Sequence, residues 1–362
     1  MSSAPDDPPA APTPLRSVFT QGLPELLRRW GVSVLVSTYQ AGKLIVLRED
    51  AGAVNTHFRT FAKPMGIAAA GGRLAVGTAV AVEEFHDVPD VARRLPPAGR
   101  HDACFLPRRT RTTGDVQVHD LAWGGAGGDE LWLVNTRFSC LCTLDDRHSF
   151  VPRWRPPFVS RLAAEDRCHL NGLAMDGAEP RYVTALGETD TPGGWRGNKA
   201  AGGVVIDVAT GEAVLRGLSM PHSPRLHDGR LWLLNSGDGT IGFADPTRAA
   251  YTAVADPLPG FTRGLDFVGP YAFIGLSQVR ESATFSGISI ASRPESERCC
   301  GVWVVDTRTG RTTGFVRFEE GVREIFAVQV LTGVRYPDVV NDDRAVIADS
   351  FVVPDDMLDA AD

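Results

Sequence analysis

The sequence predicts an all-β fold, a six-bladed β-propeller, and three observations predict it. Short β-branched or aromatic runs alternate with Gly, Asp and Asn turns along most of the chain. Three similar phrases recur: Val118-His119-Asp120-Leu121, Cys168-His169-Leu170-Asn171 and Pro221-His222-Ser223-Pro224, with separations of 169 − 119 = 50 and 222 − 169 = 53 residues. A recurrence near that length corresponds to one small sheet per repeat. Both chain ends also carry incomplete blade patterns that can be joined.

Met1 to Pro9 has neither a basic start nor an apolar core, so it does not read as a secretory signal. A disordered leader to about Leu15, within an entry segment 1–20, is expected. Ser33–Tyr39 and Lys43–Leu47 read as middle strands with no inner strand before them. Inner strands are placed at Lys63–Ile67, at the three histidine phrases, at Thr262–Asp266 and at Arg323–Val328. The steps 65 to 119, 222 to 263 and 263 to 324 are 54, 41 and 61, so insertions interrupt the period.

Glycine turns such as Asp228-Gly229 and Gly71-Gly72 lead into second strands, Arg230–Asn235 among them. Gly203–Asp207 and Gly301–Asp306 read as third strands ending in Asp, each followed by a Thr-Gly turn. That order is the grammar of a four-stranded blade. Joining the Glu324 segment to the first two strands closes the ring from both chain ends. Seven blades is the main alternative, with Ala345–Ala348 as part of another. The propeller is bounded at 21–340, and 341–362 form a C-terminal segment with an acidic tail.

The formal net charge of −7 offers no basic field for nucleic acid or anionic lipid. No apolar run approaches the ~20 residues that span a bilayer. The six cysteines contain no CxxC pair, and reduced thiols in a cytoplasmic protein are the expectation. GxSxG, GxxxxGK[ST] and HExxH are all absent, which removes the motif support for serine hydrolases, P-loop NTPases and zincins.

The phrases Ser37-Thr38-Tyr39-Gln40-Ala41-Gly42-Lys43-Leu44, Asn135-Thr136-Arg137-Phe138-Ser139-Cys140-Leu141, His169-Leu170-Asn171-Gly172-Leu173, Met220-Pro221-His222-Ser223-Pro224-Arg225 and Phe261-Thr262-Arg263-Gly264-Leu265 carry a resemblance. The chain resembles an uncharacterised bacterial family of β-propellers over roughly residues 20 to 340. The resemblance implies the fold and brings no known reaction. In architecture alone the histidine pattern is similar to three-histidine zinc lyase propellers, whose sequence motifs are missing here.

In a propeller, equivalent residues of neighbouring inner strands converge on the central channel. His119, His169 and His222 are therefore candidate ligands of a divalent transition metal, zinc or iron, with open positions for water or substrate. Their alternative role is to hydrogen-bond neighbouring blades. Glu324 is a candidate general base or fourth ligand, with a salt bridge as the alternative. Arg263 and Arg225 are candidates to bind a substrate carboxylate or phosphate, or to pair with a blade-to-blade aspartate. Tyr39, in the turn after the first strand, is a candidate acid, base or ligand, or a packed aromatic.

Asn171 is a candidate polar contact in the channel, whereas Asn135 and Asn235 match turn positions. The insertion Gly187–Lys199 suits a lid carrying Trp195, and a second insertion runs from Ser277 to about Glu297. His57, His86, His101, His148 and His227 are expected at the surface or in loops. The functional expectation is a metal-dependent enzyme acting on a small molecule or peptide at the channel, by lyase, hydrolase or oxygenase chemistry. The rivals are a non-catalytic scaffold with a protein partner on its rim and a metal-free lyase or cyclase.

Overall fold

The computed structural model describes residues 15–279, 286–354 and 357. Its six sheets are arranged in a ring, a six-bladed β-propeller. The first blade comprises Ile67–Ala70, Arg73–Gly77, Ala81–Asp87 and Ala103–Thr112, and the second Val118–Gly124, Glu130–Asn135, Cys140–Thr143 and Val151–Trp154. Leu170–Asp176, Glu179–Ala185, Gly203–Asp207 and Ala213–Leu218 form the third. The fourth is Pro221–His227, Arg230–Asn235, Thr240–Asp245 and Ala250–Ala253, and the fifth is Phe261–Val268, Tyr271–Ser277, Cys300–Asp306 and Arg311–Phe318.

The sixth blade takes its inner strand, Ala327–Thr332, from one chain end and Val32–Thr38, Lys43–Asp50 and Ala53–Thr60 from the other. Its joining register runs from Val32 opposite Thr332 to Ser37 opposite Ala327. The closure expected from the unpartnered middle strands is thus present.

Middle strands are covered on both faces by neighbouring blades, so they read as continuous apolar runs rather than alternations. Leu35, Val46, Val76, Phe85, Leu133 and Cys142 share one such interblade core. Asp343 caps the short helix Arg344–Ala348, where the seventh-blade alternative placed a strand. Pro337–Val339 instead runs parallel to the outer strand of the first blade. Ser17–Phe19, in the entry segment just after the expected leader, pairs with Arg311–Phe318 as a fifth strand of the fifth blade. Residues 1–14 and 280–285, which include part of that leader and of the second insertion, lie outside the described residues.

Glu324 is not on a strand. The sixth inner strand begins only at Ala327, where the Phe326 and Ala327 amides donate to the Ser37 carbonyl and hydroxyl. Polar staples of one kind tie several blades together near the same rim. Ser37, Thr136 and Ser277 each donate to a backbone carbonyl at the start of the next inner strand or two residues before it: Met65, Leu170 and Ile325.

One expectation about the other histidines needs correction: His57 is on the strand Ala53–Thr60, half-buried and 3.1 Å from the Asp338 carboxylate. His101 is in a loop as expected but is buried, with the same carboxylate beside it. The C-terminal strand brings Asp338 to them, so only the tertiary fold creates that setting. Among the described residues no helix is long and apolar enough to cross a membrane, and all six cysteines are free thiols.

Candidate functional site

The six inner strands run in one direction, so their N-terminal ends meet at one mouth of the channel. A cavity of about 560 Å3 opens there, and His119, His169, His222, Arg263, Tyr39, Phe326 and Trp195 line it. Irregular backbone shapes this rim. Strand pairing slips between Val118 and Leu121, Leu170 and Gly172, His222 and Arg225, and Thr262 and Leu265, so each of four consecutive blades has a bulge in its inner strand near this rim. Bulges are favoured at rims and sites because they re-aim side chains. Gln117, His169 and Met220 also take positive φ, an arrangement non-glycine residues adopt only where the surroundings enforce it.

Strand register corrects the expected equivalence of the three histidines. Val118, Leu170, Pro221 and Phe261 face Asn135, Ala185, Asn235 and Ser277, the last residues of their second strands. His119 and His222 therefore share a blade position with Asn171 and Thr262. His169 stands two residues earlier, on the positive-φ residue that matches Gln117 and Met220. The rings meet nonetheless: His119 and His169 are 4.8 Å apart between centroids and nearly perpendicular.

Each Nδ1 is held by the protein. His119 Nδ1 lies 3.0 Å from the Gln117 carbonyl and 2.7 Å from Thr136 Oγ1, and His222 Nδ1 lies 2.9 Å from the Met220 carbonyl and 3.1 Å from Ser236 Oγ. A carbonyl only accepts, so both Nδ1 atoms carry the proton and Nε2 holds the lone pair. His169 Nδ1 is 3.0 Å from each oxygen of Asp166, which also accepts from Trp195 Nε1 at 3.0 Å.

Burial, then the charge of Arg263, then the neighbouring His169 ring hold His119 well below the usual imidazole range, and the same three causes act on His222. Both rings are neutral near pH 7. Tyr39 Oη donates to Glu324 Oε2. Burial first, then that hydrogen bond, push the phenol up to about 12, so it keeps its proton.

Arg263 lies under Phe326, its guanidinium carbon 3.5 Å from the ring centroid. Its Nη2 is buried without a hydrogen-bond partner among the described residues. Burial lowers its pKa to about 10, which leaves it charged at neutral pH.

The structure thus gathers His119, His169, His222, Arg263, Tyr39 and Glu324 at one mouth. It separates Arg225 and Asn171 from them. Arg225 reaches toward the other end of the channel and pairs with Asp120 at 2.8 Å. Asn171 is buried between blades, donating to the Pro221 carbonyl and accepting from Thr184. Trp195 belongs to the cavity and is buried in its wall, 4.5 Å from the His169 ring.

Sequence reasoning missed Asp166, Thr136 and Ser236. The matching pairs Asn135-Thr136 and Asn235-Ser236 were the available signal for the last two. Asp166, three residues before His169, carried only its proximity. Among the described residues no group of three or more His, Cys, Asp or Glu side chains is arranged to hold a metal ion.

Two solved structures are similar in fold. One, titled as a nidogen/laminin complex, matches with a TM-score of 0.51 and 8% identity, covering 84% of this chain and 99% of that chain. The other, a protein of unknown function from Bacteroides caccae, matches with a TM-score of 0.52 and 8% identity, covering 83% and 98%. At such identity the likeness speaks for the propeller fold alone. No curated protein matches the sequence. The family described as "Domain of unknown function (DUF4915)" matches residues 21–340, and the chain belongs to that family.

Proposed function

We propose that the histidine-lined cavity is the active site of an enzyme that moves a proton on a small molecule, with His169 as the base. The observation that carries this reading is the His169–Asp166 pair. A carboxylate, itself held by Trp195, fixes the imidazole by Nδ1 and leaves Nε2 as the nitrogen available to the cavity. A base held by an oriented carboxylate is the arrangement general-base chemistry needs.

In the proposed step His169 Nε2 takes a proton from carbon. The C–H electron pair stays on the substrate, delocalised toward an adjacent carbonyl or carboxyl group. Arg263 stabilises that developing negative charge in a site shielded from water. The Tyr39–Glu324 pair supplies a proton donor on another wall for the return step. Lyase and isomerase outcomes both begin this way.

The test is solvent exchange. A panel of small carboxylic and keto acids is incubated with the enzyme in deuterated water, and loss of the α-proton signal is followed by NMR. Exchange by wild type that falls by about 100-fold or more in His169→Gln supports the reading. No exchange with any member, or equal exchange by the variant, overturns it in favour of a non-catalytic scaffold.

A metal-dependent reading has its own supporting observation. His119 and His222 each offer Nε2 while Nδ1 is bonded to a carbonyl, and His169 does so with Nδ1 on a carboxylate, the outer bonding that metal-ligating histidines usually have. Zinc or iron would act there as a Lewis acid, provided the three rings draw together. Metal analysis of untagged protein tests it: stoichiometric metal lost in a His119→Ala/His222→Ala variant supports it, and near-zero metal in wild type overturns it.

A further inference from the structure

We infer that the cavity takes a small oxyanion, a carboxylate or phosphate on an apolar body, with its anionic group seated on Arg263; this rests on the cavity being the functional site proposed above. A buried guanidinium without a carboxylate in direct contact is costly, because the Phe326 ring and the more distant Glu324 and Asp120 replace only part of its lost hydration. Among the described residues no acidic side chain lies within salt-bridge distance of Arg263, and Nη2 bonds to nothing. Arg225, one channel away, shows the alternative the fold could have used, a paired arginine.

Charge around the cavity points the same way. In a chain of net charge −7 the lining holds four cationic side chains, Lys63, Arg137, Arg196 and Arg263, against Glu165 and Asp166. Those two acids are already engaged, Glu165 by Arg167 at 2.7 Å and Asp166 by His169 and Trp195. Arg137 pairs with Asp115 at 3.2 Å and Arg196 lies 3.9 Å from Asp166. Among the described residues Lys63 and Arg263 are therefore the cations of the lining without an acidic partner, and an anion entering the mouth meets those two. The three imidazoles do not compete as anions, since two are neutral with lone pairs facing inward. They suit hydroxyl or N–H donors on the ligand body. Phe326 under Arg263, with Phe261 and Trp195 on the walls, gives that body an apolar surround.

Calorimetric titration of the full chain with sodium benzoate and with inorganic phosphate tests this. At least one anion is expected to bind wild type and to weaken about 10- to 100-fold in Arg263→Gln, with Arg263→Lys between them. Arg93→Gln, at an exposed arginine outside the cavity, should retain binding within about threefold. Whichever of the two binds identifies the oxyanion. Binding of neither by wild type, or equal binding by Arg263→Gln, overturns the inference.

If Arg263→Gln does not fold, carbon NMR of histidine-labelled wild type decides. Benzoate or phosphate should shift resonances that are lost in the single variants of His119, His169 and His222. A shift confined to the exposed His148 overturns the inference. Failure of the two readings is separable: anion binding without proton exchange removes the enzyme reading alone, and exchange seen only with uncharged carbonyl compounds removes the oxyanion alone.

Discussion

Two arginines enter the same channel from neighbouring blades and meet opposite fates. Arg225 bonds Asp120 through Nη1 at 2.8 Å and Nη2 at 3.2 Å, and also donates to the Leu173 carbonyl. Burial alone would lower its pKa, but the charge and hydrogen bond of Asp120 outweigh that and raise it. Arg263 has no such partner and is lowered. At one end of the channel the arginine is satisfied by the chain's own Asp120. The other end keeps a bare cation, neutral imidazoles and strained backbone. The paired arginine helps hold the ring together, and the unpaired one faces the cavity with a donor to spare.

The sharpest way to break this comparison is at Asp120. Asp120→Ala leaves Arg225 charged, half-buried and without its partner, and should cost about 3 kcal/mol in urea unfolding, the low end for a buried pair because Arg225 keeps some contact with water. A loss below about 1 kcal/mol would mean that the pair is not structural.

Gly264 comes next. It has φ +84, and an added Cβ would sit 2.6 Å from the Val328 amide nitrogen. Gly264→Ala should cost about 2–3 kcal/mol and displace the adjacent Arg263, so it should weaken anion binding as well.

Acid should weaken the histidine end. His119 and His222 titrate lower in the folded chain than in the unfolded one. The unfolded chain therefore takes up more protons as pH falls below about 6.5, and stability drops by up to about 1.4 kcal/mol per pH unit for each ring. Thermal unfolding between pH 7 and 5 should show this slope, and it should shrink in His222→Asn.

The smallest effect on stability is expected at Arg263 itself. Arg263→Met removes a charge with no protein partner, so the change should lie within about 1 kcal/mol while oxyanion binding is lost. A loss like that of Asp120→Ala would give Arg263 the same structural role as Arg225.

Much of this was legible in the chain. Turn couplets and Asp-ended third strands located the blades, because a hairpin needs glycine or aspartate at its turn whatever surrounds it. Middle strands without an inner strand announced the closure. The histidine spacing led to the correct mouth of the ring. It also hid a slip, since 50 and 53 residues look like equivalence although the true equivalents are His119, Asn171 and His222, separated by 52 and 51. Bulges absorb such offsets without leaving a trace in composition. The fates of the arginines were not legible either, because Arg225 finds Asp120 across 105 residues.

By itself the sequence determined the fold class, the closure from both chain ends and the set of residues able to do chemistry. These follow from local rules: side-chain alternation, turn residues and apolar runs act within a few positions. The helix at Arg344–Ala348 then decided for six blades over seven. The tertiary structure alone decided which arginine is paired, which nitrogen of each histidine is bonded, and that Asp166 and Trp195 frame His169. Those outcomes depend on which groups meet across the ring at hydrogen-bond distance. A shift of one or two residues in register reverses them while leaving the local pattern unchanged.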